Sequence, residues 1–165
     1  MNIWSRRKLL PPTLLSLGVA LAFDWLPWQG LWQAARPDLV ALVLLYWCIY
    51  TPHRVGIAAA WLIGLLADVA DASLFGQHAL SYALMAYAAI WLHRRIQMLN
   101  LLQQTAQIFP LLLLSDAVYA LISWQAHDSM VWSYLFGCML SALLWVPTTM
   151  LLQRLRSPRA DTDPE

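Results

Sequence analysis

Charge is what this chain has least of: 12% of its 165 residues are Asp, Glu, Lys or Arg, against 61% hydrophobic. An average soluble domain carries about twice that share of charge, so this composition excludes an ordinary soluble protein and predicts an integral membrane one. The net charge is +1, which supplies no basic field for a nucleic-acid partner. Only two cysteines are present, Cys48 and Cys138, each inside an apolar run where it reads as a small buried hydrophobe rather than half of a disulfide or metal pair. The four histidines, His53, His78, His93 and His127, show no paired ligand spacing such as HExxH. There is no glycine-rich phosphate loop, and no serine has an evident base beside it. Metal, cofactor and nucleophile chemistry therefore have no support, and the expectation is a protein that is not an enzyme.

Apolar runs punctuated by charges, prolines and glycines predict six membrane-spanning helices, near residues 9 to 26, 37 to 51, 55 to 72, 79 to 93, 105 to 124 and 131 to 152. The second is short. Its core from Leu39 to Tyr50 is about 18 Å long, against a hydrocarbon core of about 30 Å. It must sit beside longer neighbours, thin the bilayer locally, or enter without crossing fully. Arg6, Arg7 and Lys8 before an apolar run also suggest a cleavable signal peptide, but that run continues through Phe23 and Trp25. All connections are short and nothing repeats at a fixed period, so residues 1–156 read as one helical domain and 157–165 as a polar tail.

Basic residues sort by side. With both termini in the cytoplasm, Arg6, Arg7, Lys8, Arg54, Arg94, Arg95, Arg154, Arg156 and Arg159 all lie inside, and only Arg36 lies outside. Trp25, Trp28 and Trp32 then gather at the outer interface, and Trp124 and Trp132 flank the last outer loop. The expected location is the bacterial inner membrane, crossed several times.

Against this apolar background, three carboxylates stand out: Asp68, Asp71 and Asp116. An aspartate near the bilayer centre costs about 2.5–3.5 kcal/mol, so each must face protein, water or a partner. Gly56, Ala60, Gly64 and Asp68 recur every fourth residue and share one helix stripe, a packing face. Asp116 falls midway along the fifth run, so a polar site shared with Asp68 is geometrically allowed. Tyr82, Tyr87, Ser115 and Tyr119 are candidate hydrogen-bond partners. An aspartyl protease would need two carboxylates sharing a proton, but Asp68 follows Ala67 rather than the glycine of a presenilin-like GxGD motif. The paired context of a lipoprotein signal peptidase is missing too. A small-molecule-binding, transport-like membrane subunit is the alternative function, because acidic groups in a helical bundle suit a cavity. Trp145 and Pro147 mark a kink in the sixth run.

Several segments in order, Arg36-Pro37-Asp38-Leu39, Leu45-Tyr46-Trp47, Pro52-His53-Arg54-Val55-Gly56, Gly64-Leu65-Leu66-Ala67-Asp68 and Gly76-Gln77-His78-Ala79-Leu80, resemble the rod shape-determining protein MreD family. Leu143-Leu144-Trp145 followed by Pro147 and a basic end matches that family's closing pattern, so the resemblance covers most of residues 36 to 156. Three positions depart from it: Phe75 stands where leucine is common, Val146 separates the usual Trp-Pro pair, and Asp71 is not a family position. The resemblance implies a non-enzymatic scaffold of the cell-wall elongation complex, with MreC, MreB, RodA and a class B penicillin-binding protein as partners. It also implies a six-helix bundle similar to the substrate-binding components of energy-coupling-factor transporters. Gly56, Gly64, Asp68 and Asp116 are the candidate polar or partner-docking positions.

Overall fold

A computed structural model describes residues 3–24, 37–71, 76–123 and 131–156, which form six helices and no strand among the described residues. These are α1 (Ile3–Asp24), α2 (Leu39–Tyr50), α3 (Ile57–Ala70), α4 (Gln77–Gln97), α5 (Leu101–Ser123) and α6 (Val131–Arg156). Each predicted run coincides with one helix. Trp25, Trp28, Trp32, Arg36, Trp124, the Trp132 side chain and the tail 157–165 lie outside what is described.

The short helix is the core. Every residue of α2 from Val40 to Ile49 is buried, with α1, α4 and α6 packed around it. Its all-apolar sequence follows from that position, since a helix covered on every side has no polar face to present. Of the three explanations for its length, the structure supports longer neighbours. α1 turns Thr13, Ser16, Leu17 and Ala20 toward α2, a spacing of three to four residues that defines one helix face. Trp47 Nε1 of α2 donates to Ser16 Oγ at 2.9 Å, and that hydroxyl donates to the Thr13 carbonyl at 2.9 Å.

α3 and α4 form an antiparallel hairpin whose contact faces are made of small residues. Ala60, Gly64 and Ala67 of α3 are buried, as are Ala79, Ala83, Ala86 and Ala89 of α4. Large apolar residues point the other way: Trp61, Leu62, Leu66 and Val69 on α3, and Leu80, Leu84, Tyr87 and Trp91 on α4, are all exposed. This inverts the arrangement of a soluble bundle, where large apolar side chains fill the core. Among the described residues, two helical stretches are long and apolar enough to cross a membrane, Leu101–Ile122 in α5 and Leu135–Leu155 in α6. Only 22% and 39% of their most apolar windows are buried inside the protein, too little for the core helices of a soluble fold. The helices run unbroken through Pro110 and Pro147, although each proline lacks the N–H that would close a helical hydrogen bond.

At one end, Gln104 of α5 ties four segments together. Its Oε1 accepts from Tyr50 of α2 at 3.3 Å and from Trp145 Nε1 of α6 at 3.4 Å, while its Nε2 donates to the Leu99 carbonyl at 3.1 Å. Gln97 donates its side-chain amide to the Ile49 carbonyl beside them. Arg54, Arg94, Arg95 and Arg154 lie toward this end, whereas Asp38, Asp68 and Asp71 lie toward the other.

Candidate functional site

Asp68 occupies the last turn of α3, 1% exposed. An isolated carboxylate there would be costly, and its own helix dipole, negative at this end, adds to the cost. The hairpin resolves both. Asp68 Oδ2 accepts from the backbone N–H of Gly76 at 2.8 Å and of Ala79 at 3.4 Å, and Oδ1 accepts from the N–H of His78 at 2.8 Å. The aspartate of one helix therefore caps the N-terminus of the next, covering donors that have no partner within α4 and placing negative charge at the positive end of that helix.

Two glycines make this approach possible. Gly76 adopts φ +102°, the left-handed region that glycine enters without a Cβ penalty. Gly64 lies one turn before Asp68 on the same face, and a Cβ there would fall 2.6 Å from both the Ala79 nitrogen and the His78 carbonyl oxygen. No side chain fits. Gly56, on the same predicted stripe, is different: it is the N-cap of α3, and a Cβ there would meet nothing within 4 Å.

His78 completes the cluster. Its Nδ1 lies 3.0 Å from Asp68 Oδ1 and its Nε2 lies 3.8 Å from Asp71 Oδ2. The ring packs against Tyr119 of α5, with centroids 4.6 Å apart, and against Tyr82 at 5.6 Å. Asp71 is the C-cap residue of α3, exposed and beside His78. It is thus linked to the Asp68 site through one imidazole, a connection that its place in the sequence did not reveal.

A second polar group lies at the N-terminus of α2. Asp38 Oδ1 accepts from the Ala41 N–H at 2.7 Å, as an N-cap does. Its Oδ2 accepts from Tyr82 of α4 at 2.9 Å, and its backbone N–H donates to Ser141 of α6 at 2.9 Å. Asp116 is half-buried on α5. The contacts thus direct Asp68 to the α4 N-terminus. Asp38 and His78 were not among the candidate site residues, although both lie in segments that carry the family resemblance. The signal for Asp38 was an Asp immediately before an apolar run, a helix-start signature; for His78 there was no comparable signal, because its partner is ten residues away across a turn.

Trp145 is fully buried against Gln104, whereas Pro147 is exposed on the same helix. Among the described residues no group of three or more His, Cys, Asp or Glu side chains is arranged to hold a metal ion.

Comparison with known proteins bears on what this arrangement serves. A sequence model of the rod shape-determining protein MreD family matches residues 5–155. The Rod shape-determining protein MreD of Haemophilus influenzae is 28% identical over 146 residues, covering 87% of this chain and 90% of that protein. No solved structure matches the chain.

Proposed function

Because this chain belongs to the rod shape-determining protein MreD family, we propose that it serves rod-shape determination as a non-enzymatic, multi-pass scaffold of the inner membrane. In this reading it recruits and positions the proteins that build the lateral cell wall. MreC, MreB, RodA and a class B penicillin-binding protein are its proposed partners, and both termini lie in the cytoplasm. The observation that carries the reading is the inversion of residue size in the α3–α4 hairpin. Alanine and glycine line the inner contact, while Trp61, Leu66, Leu84 and Trp91 face outward. Outward-facing bulk of this kind suits lipid tails and partner helices, and small residues inside suit close packing where water supplies no driving force.

The polar groups support a structural role over a chemical one. The Asp68 carboxylate is committed to three backbone amides and one imidazole, which favours fixing helix geometry over activating water for hydrolysis. Such a scaffold works by presenting rigid helix faces at set positions.

The test is depletion in a rod-shaped host followed by complementation. Loss of the protein should round the cells and disperse the wall-synthesis proteins along the membrane, and the wild-type chain should restore both. Rod shape that persists after confirmed depletion would sink the proposal.

A further inference from the structure

One corner of the bundle, where α4 turns into α5, combines exposed apolar residues with two arginines. Trp91, Met98 and Leu102 are 79%, 87% and 81% exposed, the most exposed large apolar residues described. Arg94 and Arg95 stand among them, both exposed. Neither arginine has an ion-pair partner among the described residues, and the acidic side chains Asp38, Asp68 and Asp71 lie toward the opposite end. Trp91, Arg95 and Met98 follow one another at intervals of four and three residues, so they share a face of α4, with Arg94 beside them.

The order along that face matches the edge of a bilayer. An exposed tryptophan suits the boundary between acyl chains and headgroups. Arg94 and Arg95 come one turn later, about 5 Å further along the axis, at the depth of lipid phosphates. A guanidinium binds a phosphate through paired N–H groups in a fixed fork, and two adjacent ones with no internal counter-charge are left to find an anion outside the protein. Met98 and Leu102 follow at the turn itself, on the far side of the arginines from Trp91.

We propose that the α4–α5 corner is a docking site for an anionic phospholipid, whose headgroup phosphate is held by Arg94 and Arg95 while its upper acyl region packs on Trp91. This rests on the membrane reading given above. The site gives the scaffold a preference for anionic lipid at one defined position, beyond the general attraction of its basic end.

The full chain reconstituted in vesicles of equal parts phosphatidylglycerol and phosphatidylcholine provides the test, with spin-labelled forms of each lipid reporting their association with the protein. The wild type should associate preferentially with phosphatidylglycerol. Replacing Arg94→Gln or Arg95→Gln should weaken that preference by about five-fold each, while Arg154→Gln, at the same end but outside the corner, should leave it nearly unchanged. An equal loss on Arg154→Gln would overturn the site in favour of diffuse surface charge. So would a wild type without lipid preference. Protein that fails to float with the vesicles would defeat the membrane reading itself, a separate outcome from floating protein that shows no selectivity. In cells, a photoreactive residue replacing Trp91 should yield phospholipid adducts, and adducts to a polypeptide in their place would overturn the lipid as occupant.

Discussion

Asp68 sits near the C-terminus of its own helix, where its charge is unfavourable, and is held because it sits over the N-terminus of another. Removing it should therefore cost more than one ordinary hydrogen bond. Asp68→Ala leaves buried backbone donors of α4 without an acceptor and should destabilise the protein by about 1–3 kcal/mol. Asp68→Asn, which keeps one acceptor oxygen, should cost less; thermal unfolding in detergent separates the two, and equal melting temperatures for both variants and the wild type would refute the capping role. The two glycines offer a sharper contrast. A Cβ at Gly64 collides with the backbone of Ala79 and His78, whereas one at Gly56 meets open space. Gly64→Ala should destabilise by about 1–3 kcal/mol, as overpacking does, and Gly56→Ala should stay within about 1 kcal/mol of wild type. The sequence showed the stripe that both glycines occupy, but not which of them touches a neighbour, because periodicity along one helix carries no information about where the next helix crosses it.

Among the elements, α2 carries the most packing and the least length. It is held at its N-terminus by Asp38 against Tyr82 and Ser141, along its side by Trp47 on Ser16, and at its C-terminus by Tyr50 on Gln104. Every one of these bonds joins it to a different helix or to a different face of the bundle. Leu44, fully buried in its middle, should be far more sensitive than Leu143, which is 71% exposed on α6. Leu44→Ala should cost about 2–5 kcal/mol through the cavity it leaves, and Leu143→Ala should change unfolding little. Comparable losses at both positions would mean that α2 is not the packed centre. The interhelical bond from Tyr82 to Asp38 is worth less: a double-mutant cycle of Tyr82→Phe with Asp38→Asn should report a coupling of about 0.6 kcal/mol, and at most about 1.7. That α2 would be short and apolar was readable from its composition. Its central position was not, since an apolar helix facing lipid and one surrounded by protein have the same sequence character.

Over the whole molecule, charge divides the bundle into two ends. Arg54, Arg94, Arg95 and Arg154 lie toward one, Asp38, Asp68 and Asp71 toward the other. The proposed topology puts the basic end in the cytoplasm, as the positive-inside rule expects, and this can be checked directly. In a variant with Cys48 and Cys138 replaced by alanine, Met98→Cys should react with a membrane-impermeant thiol reagent only from the cytoplasmic side, and Asp71→Cys only from the outer side. Labelling of both from the same side would contradict the proposed arrangement.

The sequence by itself determined the approximate bounds of the described helices, the gathering of basic residues at one end, and the family. Each depends on local composition or on the order of short motifs, which one strand of text records in full. Tertiary structure decided that the shortest of the described helices lies at the centre and that Asp68 caps a neighbouring helix. Those outcomes depend on which helix faces meet, and in a chain so uniformly apolar the faces differ in side-chain size far more than in polarity. In the α3–α4 hairpin small residues meet small residues, whereas around α2 large side chains such as Tyr46 and Trp47 are fully buried, and neither arrangement is visible until the helices are placed side by side.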